Sequence, residues 1–454
     1  MNAHPETERR FGLLQATALN MSNMLGAGPF ITIPALMMTM GGPQSMLGWG
    51  VALIVALADG LVWSELGATL QKSGGSYVYL REGYGRETWG RFMGFLFIWQ
   101  FILSGPLELA TAYVGVAQYL QPLWPESSDF TRLCAGAAVG LLVIFLLYRR
   151  IEAIGKITVT LWAGALLAMV VVIVTGARHF DAKIAFDFPQ DAWTFDAAKW
   201  VALGAAARIG IYDYLGYYDI CFIGDEVRQP GRVIPRAVML SLVLVALIYL
   251  AVNLSIIGVV PWQEFTSAEN VSKPVVTMMM AKIYGDDFAQ LFTVLVLWTM
   301  VACCFAMLLG YSRIPYAAAR DGSFFRVFGQ VHPRMGFPHV SLIVVGLIAA
   351  AATFVKLGTL IDALLTTRIV VQFTGQIGAL VMLRTLKPQM ERPFRMWLYP
   401  LPALLALVGW MYLLFTTDKS LLAVGGLTLV TGGMVFLFWS WRTKTWPFAA
   451  PARQ

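Results

Sequence analysis

Runs of roughly 20 apolar residues recur along nearly the whole of this 454-residue chain, and that repetition constrains it more than any other feature. Hydrocarbon offers no water to an unpaired backbone group, so each run must be a helix or a strand of a closed barrel. The strict alternation of a barrel strand is missing, so the runs read as helices. Only 13% of the residues are charged, against about 25% in an ordinary soluble domain. The fold class is therefore an all-α polytopic membrane protein. About twelve spans are expected, near 13–40, 43–70, 92–120, 132–148, 154–176, 198–224, 235–260, 286–318, 339–355, 358–384, 396–416 and 420–441. Two connectors are long, 177–197 and 261–285, and the second carries a helical stretch of its own.

The N-terminal "MNAHPETERRFGLL" is polar and enters a run too long for a cleaved signal, so that run is expected to be a retained first helix. Of the 33 Lys and Arg residues, 23 fall on the segments that share a side with the N-terminus, 8 on the opposite side and 2 inside spans. Such a bias favours both termini in the cytoplasm, and the chain is expected in the plasma (inner) membrane. It also accounts for the net charge of +7 without nucleic acid as a partner.

The first span is interrupted at Gly26-Ala27-Gly28-Pro29. Glycine loosens the backbone, and proline suits the first turn of a helix but not its interior. The run reads as two half-helices, one ending near Met24 and one starting near Pro29. The sixth span reads "AAARIGIYDYLGYYDICFIGDEV", with Gly210, Asp213 and Gly216 within seven residues. Paired breaks one five-helix unit apart point to a transporter built from inverted repeats. The start of a half-helix offers N–H groups to a carboxylate, and its end offers carbonyls to an ammonium.

Three motifs resemble the amino acid–polyamine–organocation (APC) transporter superfamily: "GAGPFITIP" at 26–34, "SELGATLQKSGGSYVYLREGYG" at 64–85, and "YLGYYDICFIGDEVRQPGRVIPRAV" at 214–238. A weaker likeness is "SRIPYAAARDGSFFRVF" at 312–328. The resemblance implies a leucine-transporter-like fold of two inverted five-helix repeats, 11–176 and 198–384, with two further helices in 394–441. It implies amino acid permease activity: secondary active transport by alternating access, of amino acids or amines. Carried over by position, Met24, Gly26, Ala27 and Gly28 would bind the substrate's main-chain end. Tyr212, Asp213 and Leu215 would form the sixth-helix side, with Tyr212 as an aromatic gate. Asp213 is a departure, since many amino-acid members are small or apolar there. Ala165 stands where several sodium-independent relatives carry a lysine, and 306–310, "AMLLG", lacks the hydroxyls that hold sodium in others.

Ionisable residues inside spans are costly and therefore candidates for function. Asp59 and Glu65 lie in span two, Glu108 in span three, Arg208, Asp213 and Asp219 in span six, Asp362 and Arg368 in span ten. Glu108 is expected either to bind a second amine or carry a proton, or to pair with Arg208 or Arg368 and lock helices together. Arg208 is expected to neutralise Asp213 or Asp219, or to receive a substrate carboxylate. Glu65 reads as a loop anchor near "SGGSY". Tyr214, Tyr217 and Tyr218 read as packing or cavity lining, and Glu226 and Arg232 as gate or loop-ordering residues.

An integral membrane enzyme would need a catalytic constellation, and none emerges around His4, His179, His332 and His339. A channel would need repeated filter motifs or charged rings. Cys134, Cys221, Cys303 and Cys304 have no metal-ligand spacing and read as small core residues, so neither metal nor cofactor is expected. The resemblance therefore implies a carrier of amino acids, proton-coupled or exchanging and not sodium-dependent, with a polyamine or other organic cation as the alternative cargo and an integral membrane enzyme or channel as the lesser alternative. Its partners would be a small-molecule substrate, the lipid bilayer and, for coupling, a proton.

Overall fold

The computed structural model describes residues 11–26, 28–148, 151–270 and 273–448, with the backbone alone for 151–162. Its helices are α1 (Leu13–Met24), α2 (Gly28–Ile31), α3 (Ile33–Met40), α4 (Met46–Thr69), α5 (Ser76–Gly83), α6 (Trp89–Tyr119), α7 (Asp129–Leu147), α8 (Ile151–Arg178), α9 (Ala182–Ala185) and α10 (Ala197–Tyr214). There follow α11 (Pro230–Ile257), α12 (Trp262–Thr266), α13 (Val275–Tyr284), α14 (Asp286–Tyr311), α15 (Arg313–Arg320), α16 (His339–Ala352), α17 (Leu357–Arg368), α18 (Thr374–Leu386), α19 (Leu401–Phe415) and α20 (Lys419–Thr443). Extended pairing among the described residues is confined to two single bridges, Phe11 with Val227 and Ser73 with Ile223.

Among the described residues, seven helical stretches are long and apolar enough to cross a bilayer, and the bent run Leu13–Ile31 plus Ile33–Met40 makes eight. That is fewer than the twelve spans expected. Three apolar helices are only 10–17 residues long: Val275–Tyr284, His339–Ala352 and Leu401–Phe415. Helix α10 also falls short, because its 18 residues include Lys199, Arg208 and Asp213.

The most extensive packing joins α4 to α10 and α11, α6 to α17, α14 to α8, and α1 to α11. Helices α19 and α20 lie on the flanks of α4 and α6. Along α20, Leu427, Val430, Met434 and Phe438 remain exposed, a surface suited to lipid rather than water. Buried against this scaffold, α1, α2 and α10 carry the two interruptions.

Candidate functional site

The first interruption follows its sequence closely. Helix α1 ends at Met24, Leu25 turns out of helical geometry, and α2 begins at Gly28, one residue before Pro29. Ala27 lies outside the described residues. After four residues the chain bends again at Thr32, and Pro34 sits in the first turn of α3, where it needs no donor. The axes of Leu13–Ile31 and Ile33–Met40 differ by 61°.

The second interruption lies later than expected. Gly210 is inside α10, packed against Trp49 and Ala52 of α4, so it is a close-packing residue and not part of the break. The helix stops at Tyr214 and Leu215 caps it with extended ψ. Gly216 takes φ +107°, which side-chain-bearing residues rarely adopt. The chain resumes as a short turn over Asp219–Phe222.

These two interruptions face each other. A Cβ added to Gly28 would overlap Asp213 Oδ1, and one added to Gly216 would overlap the Asn23 side chain. Gly26 lies against the Cys303 thiol of α14. Thr32 Oγ1 is 2.9 Å from Asp213 Oδ2 and 2.9 Å from the Gly28 carbonyl. Its single proton can serve only one of them at a time. Tyr249 of α11 ties the remaining ends together. Its hydroxyl donates to the Met24 carbonyl and lies 3.2 Å from the Asp213 carbonyl. Met24 therefore meets a protein hydroxyl at the carbonyl expected to serve the substrate's main chain.

Two asparagines that the sequence reading overlooked hold the second break open. Asn20 Nδ2 donates to the Tyr217 carbonyl at 2.6 Å, and its Oδ1 accepts from Ile220 N–H at 2.9 Å. One side chain thus satisfies backbone groups on both sides of the unwound turn, which burial would otherwise make costly. Asn23 donates to Asp219 Oδ2 at 2.7 Å. The available signal was their spacing: Asn20 and Asn23, three apart in an apolar run, share one face of α1. Tyr249 carried a fainter signal, as a polar aromatic in the apolar run "ALIYLAVNL".

The charged residues sort into pairs, though not always the expected ones. Glu108 forms an ion pair with Arg368 at 2.5 Å and accepts from the Tyr311 hydroxyl at 2.6 Å. Arg368 also reaches Ser104 and Tyr218. A π-helical turn, Ile369–Phe373, follows it directly. Tyr212 joins this group through Thr111, whose hydroxyl is 2.5 Å from the Tyr212 hydroxyl and 2.5 Å from the Glu108 carbonyl. Arg208 meets neither Asp213 nor Asp219. It pairs with Asp362 at 2.7 Å and reaches Thr416 at 3.0 Å, linking α10 to α17 and α19. Asp59 accepts from Tyr217 at 2.5 Å and from Trp410 at 3.2 Å. Glu65 is an anchor, but for a different loop than expected. It holds Arg384 through both oxygens, at 2.8 and 2.5 Å, and accepts from the Met396 backbone at 2.8 Å.

The loops beside the second break contact one another. Gly74 N–H donates to the Phe222 carbonyl at 3.0 Å, and Ser73 bonds Asp225. Glu226 lies in the turn Gly224–Glu226, and its carbonyl accepts from Phe11 N–H at 3.1 Å. Arg81 of α5 pairs with Asp321 and donates to the Tyr77 hydroxyl at 2.9 Å. Burial pushes the Tyr77 hydroxyl above its ordinary pKa. Burial works against the Arg81 charge, but Tyr77 and Asp321 outweigh it and hold its pKa up. The contacts of this loop are thus partly electrostatic.

Set against known families, residues 11–438 match the amino acid permease model. This chain belongs to the amino acid permease family. The permease is 31% identical over 351 residues to an uncharacterized transporter of Mycobacterium tuberculosis, covering 76% of this chain and 74% of that one. It is 25% identical over 453 residues to the cystine/glutamate transporter of Homo sapiens, covering 97% and 87%. It is 24% identical over 430 residues to the serine/threonine exchanger of Bacillus subtilis, covering 94% of each. The permease is a multi-pass membrane protein of the APC superfamily, and its family and these relatives are transporters.

Proposed function

We propose that the permease is a secondary active carrier of amino acids working by alternating access across the plasma membrane, with both termini cytoplasmic. The observation that carries this reading is the contact between the two breaks, with Asp213 against Gly28 and Tyr249 between Met24 and Asp213. Unwound backbone at membrane depth is tolerated only where protein or a water-filled cavity satisfies it. Two such segments facing each other suit a small polar cargo. Gly26, Ala27 and Gly28 would receive the substrate's main-chain end, and Tyr212, Asp213 and Leu215 would form the opposite wall. The twelve-span reading then gives two inverted five-helix repeats, 11–176 and 198–384, with 394–441 peripheral. The short and broken helices fill the places of the spans that fall short in length.

In this reading Tyr212 gates one side of the site and the turn at Glu226 gates the other. The relatives include an exchanger by name, which supports exchange as the mode of coupling, with a proton as the other route. The alternation of shape would break the loop contacts Ser73–Asp225 and Arg81–Asp321, while the Glu108–Arg368 pair stays as a fixed strut between α6 and α17.

The test is uptake by the purified chain in reconstituted vesicles, using a panel of labelled amino acids. Each is offered with and without internal substrate, a pH gradient and sodium. Saturable uptake stimulated by internal amino acid or by inward acid, and indifferent to sodium, is the expected result. A panel that gives no saturable uptake under any condition would overturn the reading.

A further inference from the structure

Most acids buried among the helices have their oxygens accounted for. Glu108 and Glu65 are paired with arginines, and Asp59 has a donor on each oxygen. The two acids that flank the span-six break differ. Asp213, only 2% exposed, uses Oδ2 for Thr32, and Asp219 uses Oδ2 for Asn23. The Oδ1 atom of each is buried with no hydrogen-bond partner among the described residues. Neither acid stands in an ion pair among those residues, because the arginines of the region go to Asp362 and Glu108.

We propose that the permease selects cationic amines, namely basic amino acids and diamines. Asp213 Oδ1 receives the substrate's ammonium, with Asp219 as the second acid beyond the break. This rests on the transport reading above and names the cargo of that same site. An acid kept for structure would be satisfied as Asp59 is, because a buried unpartnered oxygen carries the full cost of its lost water. An ammonium supplies the missing donor and cancels the charge in one step, and a charge-assisted hydrogen bond is the stronger kind. The position of Asp213 adds selectivity. Its free oxygen occupies the space beside Gly28, so an ionised Asp213 opposes a substrate carboxylate arriving at the first break. A molecule with more ammonium groups than carboxylates tolerates that encounter, and one with more carboxylates does not.

The experiment measures kcat/KM for uptake of labelled alanine, lysine and 1,4-diaminobutane by the full chain in vesicles. The wild-type protein is expected to favour lysine or diaminobutane over alanine by about tenfold or more. Asp213→Asn, nearly the same shape, is expected to collapse that ratio by about tenfold, chiefly through KM. Preference for lysine alone identifies a basic amino acid as the cargo, and preference for diaminobutane a diamine; both support the inference. Alanine favoured by the wild-type chain overturns it and leaves the transport reading standing, whether or not the variant folds. An unchanged ratio in a folded Asp213→Asn also overturns it. Uptake of none of the three, together with a failed amino acid panel, overturns both.

Discussion

The two breaks in this permease serve the same end by different means. In the first, the chain itself supplies the interruption: glycines at 26 and 28 and a proline at 29 deny the helix its bulk and its donor. In the second, the local residues Tyr214, Leu215, Tyr217 and Tyr218 are ordinary and bulky, and one glycine, Gly216, turns the backbone. The opening there is held from outside, by Asn20 and Asn23 of α1. The first break is therefore autonomous and the second is dependent on the first helix. The two cannot move independently, because the half-helix that ends at the first break carries the side chains that hold the second.

This contrast predicts an order of damage. Gly28→Leu should act most strongly, because the added side chain would occupy the place of the Asp213 carboxylate and separate the breaks. Uptake is expected to disappear while the protein still inserts and elutes as a single species in detergent. Near-normal uptake by this variant would show that the contact between breaks is not the site.

Asn20→Leu should come next, and it tests the dependence directly. It leaves the Tyr217 carbonyl and the Ile220 N–H buried without their partner, a cost of about 1–3 kcal/mol for each group. Thermal unfolding in detergent should fall by several degrees, and uptake should fall with it. If both stay at wild-type values, the second break holds itself and the asymmetry is wrong. Gly216→Ala should be milder, since it strains one residue at positive φ and presses on Asn23, costing about 1–3 kcal/mol in all. Pairing it with Asn20→Leu sharpens the comparison. The two effects should be less than additive, because both act on one junction.

The same contrast explains what could be read from the sequence. Apolar runs revealed the helical membrane fold, because that signal is local and repeated. Gly26–Pro29 revealed the first break for the same reason. The second was legible only as a region: Gly210 and Gly216 look alike in sequence, yet one packs against Trp49 and the other turns the chain. Partners separated by hundreds of residues were the least legible. Arg208 reads equally well as a partner of the nearby Asp213, and only packing brings Asp362 to it. Glu65 likewise finds Arg384 and not its neighbouring loop. Tyr249 and Asn20 were missed because a single polar residue in an apolar run looks like packing until its hydrogen bonds are seen. Length and apolarity alone recover fewer spans among the described residues than the apolar pattern suggests, because α10 carries three charged residues within 18 and the first run is bent.

The smallest expected effect belongs to Thr32→Val, and it separates the two breaks most finely. Valine keeps the shape of threonine but removes the hydroxyl between the Gly28 carbonyl and Asp213 Oδ2. The Gly28 carbonyl keeps its helical bond from Thr32 N–H at 3.0 Å, so the first break loses little. Asp213 loses the one side-chain donor it has among the described residues, so the change falls on the second wall of the site. A loss of about 1 kcal/mol is expected, which is roughly a fivefold change in an equilibrium constant. It should show in the KM for uptake, with the unfolding temperature nearly unchanged. A large drop in unfolding temperature with unaltered KM would instead make Thr32 a brace of the bent helix α2–α3. The contact between the two breaks would then be a matter of packing, and the hydroxyl would have no part in setting the carboxylate against its cargo.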